Sequence, residues 1–143
     1  MITSSKETDT LLYNWVNFRE TLESIDDPLN EVAKFFLALP RVKVYTDPYD
    51  QTTWPTPWEL ITENEYCPFN ILLGICYTLQ LTERFSQIQP TIQIAIDNKS
   101  KTVYYLLIVE DNVFGFSDAE WVKDYTLPKS LKIQKIFEME SIH

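Results

Sequence analysis

Residues 68–83 read PFNILLGICYTLQLTE, and nearly every position around a helical wheel of this segment is apolar. A helix buried on almost all sides is the simplest physical account. The alternative, a buried strand, is disfavoured because sixteen residues exceed ordinary strand length. Pro68 suits the first helical turn, and Gly74, in the middle, permits another element to approach the backbone closely. The rest of the chain is expected to pack around this helix.

Upstream, Leu11, Trp15, Phe18 and Leu22 recur at steps of four, three and four, with Leu12 and Val16 widening the stripe, which predicts a core-facing helix. Asp27 then offers a cap and Pro28 a first helical residue. Leu29, Val32, Phe36 and Leu37 give the next helix its apolar face before Pro40 stops it. The two segments are expected to form a helical hairpin, with Val42 to Tyr45 extended or a brief edge strand.

Residues 46–66 hold three prolines, Trp54, Trp58 and the acids Asp47, Asp50, Glu59, Glu63 and Glu65, without one lysine or arginine. Thr56, Pro57 and Glu59 spell a capping box, so a short helix starts there and Glu59 has a structural task. Large rings on either side predict a packed connection.

Beyond Pro90 the period changes. Ile92, Ile94 and Ile96 alternate with more polar neighbours, which predicts a strand with one drier face. Asp97 to Ser100 reads as a turn into residues 102–110, whose YYLLIV centre suits a strand buried on both sides. Val113 to Phe116 and Leu131 to Met139 follow as shorter candidates, while Asp118 reads as a surface or cap residue before Ala119, Glu120 and Trp121. Short turns make the first three strands antiparallel neighbours. The expected fold is α+β over residues 1–143 as one domain: a helical hairpin, a buried central helix and a C-terminal antiparallel sheet of three to four strands.

The chain has 12 lysines and arginines against 21 aspartates and glutamates, a net charge of −9 that repels phosphate backbones and makes direct nucleic-acid binding a poor expectation. Its longest apolar runs, seven residues each, fall far short of the roughly 20 needed to cross a bilayer. The N-terminal residues lack the apolar region of a secretory leader. A soluble protein of the host-cell cytoplasm or of a virion is therefore expected. Cys67 and Cys76, nine residues apart, are expected to be free thiols. Neither a metal-ligand cluster nor a cofactor motif is present, and two glycines do not make a phosphate cradle.

Cys67 stands at the start of the central helix, where unpaired amides and the positive helix end can stabilise a thiolate; it also fits as a small buried hydrophobe. A cysteine nucleophile needs a base, and the only histidine is the final residue, His143. The segments YCPFNILLGICYTL (66–79), TVYYLLIV (102–109) and VFGFSDAEWV (113–122) resemble, in layout, the core of transglutaminase-like and papain-like cysteine enzymes. The resemblance implies Cys67 as nucleophile and Asp118 as the acid that orients a histidine. Tyr104 or Tyr105 occupies the histidine's place, so the resemblance implies a related fold with its base missing. WPTPWE (54–59) before such a helix is also similar to small proteins of tailed bacteriophages, which implies a virion structural or accessory role.

Trp54, Trp58, Trp121, Tyr49 and Tyr66 are amphipathic rings close to acidic residues, the composition of interface anchors. With the base absent, the expected function is a non-enzymatic protein-interaction or assembly module whose partner carries a basic rim. The alternative is an amidase, protease or acyltransferase built on Cys67, with Asp118 and His143.

Overall fold

The computed structural model describes residues 5–42, 46–117, 120–123 and 127–140. Its centre is the helix expected from residues 68–83, here Pro68–Gln80 and called α4 in chain order after α1 (Ser5–Thr21), α2 (Pro28–Leu37) and α3 (Pro57–Glu63). Every α4 residue from Phe69 to Gln80 is buried. Enclosing each large aliphatic side chain contributes about 1.5–3 kcal/mol, so α4 supplies the largest single share of the core.

The buried polar groups of α4 are used to fasten its neighbours. Thr78 receives the indole N–H of Trp15 at 2.9 Å and donates to the Gly74 carbonyl at 2.6 Å. The Gln80 amide donates to the carbonyls of Met139 and Glu140 at 3.1 and 2.9 Å. These bonds tie the first helix and the chain's last described residues to the same rod.

The remaining helices follow their caps. Asp27 accepts the Asn30 N–H at 3.2 Å and Pro28 opens α2, which ends at Leu37, ahead of Pro40. At α3 the expected box is complete: Thr56 accepts the Glu59 N–H at 3.3 Å, and Glu59 accepts the Thr56 N–H at 3.0 Å. The expected hairpin of α1 and α2 is looser than a packed pair. The two meet through stacked Phe18 and Phe35 rings, 4.2 Å between centroids, while α1 lies mainly against α3 and α2 against α4.

Among the described residues five strands follow: β1 (Thr91–Asp97), β2 (Val103–Val109), β3 (Asn112–Ser117), β4 (Glu120–Lys123) and β5 (Leu131–Glu138). They form one antiparallel sheet in the order β4-β3-β2-β1-β5. The sheet exceeds the expected three to four strands by β4, whose four residues are too few to display a period. Residues 41–42 touch Tyr66 as an isolated bridge, and the rest of the expected Val42 to Tyr45 strand lies outside the described residues.

The sheet is dry on both faces at its centre, as the apolar run in β2 predicts. Ile92, Ile94, Leu107, Val109, Phe114 and Phe116 face the helices. Ala95, Tyr104 and Leu106 form a second cluster on the opposite face, joined by Leu127 and Leu131.

Asp97 knots three segments together. Its carboxylate accepts from the Ser130 hydroxyl, the Lys99 N–H at 3.1 Å and the Ser100 hydroxyl at 2.9 Å, fixing the β1–β2 turn and the approach to β5. The Ser130 bond first, then the Lys99 amide, hold its pKa below the ordinary carboxylate range. A group depressed on folding stabilises the fold above its unfolded pKa and loses that contribution as pH falls through the folded one. The urea midpoint of Asp97→Asn is therefore expected to lie below that of the parent at neutral pH. The gap should begin to narrow as pH falls beneath the unfolded value of ~4 and close as pH passes through the lower folded pKa. Paired urea titrations at neutral and acid pH measure it; a gap that stays constant would show that the charge is irrelevant.

Candidate functional site

The packing of α2 on α4 leaves a space between α2 and the outer strands β3 and β4. This cleft has a volume of about 310 Å³. Its apolar wall is Phe114, Trp121, Val113, Leu29 and Ala33, and its polar rim is Asp27, Asn30, Asp111, Asn112 and Lys123.

The β3–β4 register explains the wall. Phe116 pairs with Trp121 and Phe114 with Lys123, so all four side chains project to the helix-facing side of the sheet. The half-buried Trp121 ring lies 5.5 Å from Phe114 and 5.4 Å from Phe116, centroid to centroid. Phe116 in turn carries the Arg41 guanidinium 5.3 Å from its ring centre. The aromatic group thus already receives one guanidinium, through the attraction of a cation to a ring face. Asp27 sits in the rim because it caps α2, and Asp111 because it forms the β2–β3 turn. Two carboxylates against one ammonium leave the rim net negative.

The other expected anchors are distributed differently. Tyr49 and Trp58 are half-exposed, and Trp58 meets Trp15 edge-on at 5.3 Å. Trp54 is a seal: its indole N–H donates to the Asp47 carbonyl at 3.0 Å, and its ring packs on Phe69 and Phe137. Tyr66 has to be corrected. It was expected among the interface anchors, yet it is 1% exposed, enclosed against Phe36 where the chain enters α4. Trp121 alone of these five lines the cleft.

The acids of the connection have local tasks. Asp47 accepts the Tyr49 N–H at 2.9 Å, and Asp50 caps the short turn Gln51–Thr53 through Thr52. The Thr52 hydroxyl, then its amide, lowers the Asp50 pKa; the Thr56 amide, then its hydroxyl, lowers that of Glu59. Glu63 moves the other way, raised first by burial and then by Glu59 and Glu65. Among the described residues no group of three or more histidine, cysteine or acidic side chains could hold a metal ion.

Cys67 caps α4 by position, yet its side chain makes no capping bond and none of its surface reaches solvent. Cys76 is also free and enclosed, and burial pushes its thiol pKa up. Asp118 and His143 lie outside the described residues. Tyr104 and Tyr105 belong to opposite faces of the sheet: Tyr105 packs on Phe69 at 5.7 Å, and Tyr104 sits in the second cluster.

Sequence reasoning missed the cleft as a unit, because its acids lie 84 positions apart and each reads locally as a cap or a turn. It also passed over the exposed side chains of Tyr13, Ile133 and Ile136. Among the described residues no helix is long and apolar enough to cross a membrane. Comparison with protein-family models, with curated proteins and with solved structures finds no match to this chain, so the resemblance to cysteine enzymes and to phage proteins gains no support from them.

Proposed function

We propose that the protein is a protein-interaction module whose Trp121 cleft receives a basic side chain of a partner, an arginine foremost. The observation that carries this reading is the joining of an aromatic wall, Phe114 and Trp121, to a rim bearing Asp27 and Asp111. An arginine stem lies along apolar surface while its guanidinium donates bidentate hydrogen bonds to carboxylates and stacks on rings. The net charge of −9 adds long-range attraction for a basic partner. Enclosure of the Cys67 sulfur supports binding over thiol chemistry, since a nucleophile must reach its substrate.

The test is titration with n-butylguanidinium, an arginine side-chain mimic, followed by NMR on the assigned indole of Trp121. Perturbations are expected at Trp121, Phe114, Asn30 and Asp111. Asp27→Asn keeps a good helix cap while removing the charge, and combined with Asp111→Asn it should weaken the response at least fivefold, about 1 kcal/mol. Unchanged affinity in the double variant, or perturbations scattered over the surface, would reject the assignment.

A further inference from the structure

β5 is the outermost strand on the side of the sheet opposite β4, and it is the longer of the two edges, eight residues against four. Among the described residues it pairs with β1 alone, so backbone N–H and C=O groups along its outer side point away from the sheet. The strand is held firmly: the Gln80 amide grips the carbonyls of Met139 and Glu140 just past its end, and Ser130 bonds Asp97 just before its start. Residues 132–136 are nonetheless all exposed.

The local charge is opposite to that of the chain. Residues 129–138 carry Lys129, Lys132 and Lys135 against Glu138 alone, within a protein of net charge −9. The register sorts these side chains. Lys132 and Lys135 lie opposite Ile96 and Ile94, toward the helix side, and the Lys135 ammonium lies 5.5 Å from the Phe137 ring centre. Ile133, half-exposed, lies opposite Ala95 on the other face, and Ile136, equally exposed, lies opposite Gln93.

We propose that the β5 edge is a strand-addition site for an extended partner segment in which acidic and apolar residues alternate. Main-chain hydrogen bonds supply affinity in this mode, and side chains on alternate faces supply specificity. An incoming strand of this pattern sets its carboxylates beside Lys132 and Lys135 and its apolar side chains beside Ile133 and Ile136. A second copy of the chain fits less well, because two antiparallel β5 strands bring four of these lysines into one ladder. Lysines on a sheet edge are a device that keeps it from pairing with a second copy of itself. The same lysines favour an acidic strand. This site is independent of the Trp121 cleft, which lies at the other end of the sheet, and failure of either leaves the other standing.

The experiment uses a fluorescein-labelled peptide of five Val-Glu repeats, with five Val-Lys repeats as comparator, in fluorescence polarisation against the full chain. The glutamate peptide should bind at least tenfold more tightly and slow amide exchange at alternate β5 residues. Lys132→Glu with Lys135→Glu should abolish that preference, and the milder alanine pair should weaken binding in the same direction with an unchanged thermal midpoint. Equal binding of both peptides, no binding of either, indifference to the lysine changes, or a dimer in sedimentation whose β5 amides are already protected would each overturn the proposal.

Discussion

Gly115→Ala is expected to lower the stability of the fold by about 3 kcal/mol or more, seen as a drop of ~10 °C in the thermal midpoint and an earlier urea transition. Gly115 lies in the middle of β3, opposite Leu106 on β2 and Val122 on β4. A Cβ built there runs into the carbonyl oxygen of Tyr105 and stands 2.9 Å from the Leu106 Cα. Both obstacles are backbone of a central strand, so no rotamer change relieves the overlap. The strands must separate, which weakens two ladders at once and disturbs Phe114 and Phe116, part of the wall behind Trp121. A strand normally gains from a side chain in place of glycine, so the sign of the change is diagnostic. Lys129→Ala, at an exposed turn, should stay within about 0.5 kcal/mol and serves as the control. A midpoint in Gly115→Ala equal to that of the parent would mean that β2 and β3 are not as close as described.

Those parts of the fold whose causes are local could be read from the chain alone. Residues 68–80 are apolar around the whole helix, so no partner had to be known to place them inside. Thr56, Pro57 and Glu59 specify a helix start by bonds among themselves. What escaped depends on residues distant in sequence. The apolar pattern of α4 continues through Leu81, yet the helix ends at Gln80. There the Glu23 carboxylate accepts the N–H groups of Glu83 and Arg84, and Arg84 returns bonds to the carbonyls of Leu22 and Ile25. Tyr66 has the same composition-level signature as Tyr49, and only the bridge to Arg41 and the approach of Phe36 decide that one is enclosed and the other is not.

The candidate sites were hidden for a related reason. Asp27 and Asp111 each satisfy a local reading, as cap and as turn, and their convergence beside Trp121 comes from how α2 lies over β3 and β4. Net charge is a sum over the chain and conceals its distribution. An acidic protein with a basic rim as its expected partner also has a lysine-bearing edge, which becomes visible only when β5 is placed outermost.

Gly74→Ala should also destabilise, by about 2 kcal/mol, although alanine in a helix ordinarily gains about 1 kcal/mol over glycine. The added methyl stands 2.5 Å and 2.7 Å from two ring carbons of Phe36, the α2 side chain whose ring packs against α4 at Gly74. Phe36 is wholly buried, and its ring is held edge-on by Phe35 and Tyr66, so it has nowhere to turn. Unlike the Gly115 case, the obstacle is a side chain and can be removed. Phe36→Leu alone leaves a partly filled space and should cost about 1–2 kcal/mol. In the Gly74→Ala and Phe36→Leu pair the methyl occupies that space, and the helix preference for alanine is no longer opposed. The pair is therefore expected to be about 1–2 kcal/mol more stable than the sum of the two single losses, measured as a double-mutant cycle of urea unfolding. Strict additivity would mean that α2 approaches α4 somewhere other than at Gly74, and the cleft that depends on that approach would have to be redrawn with it.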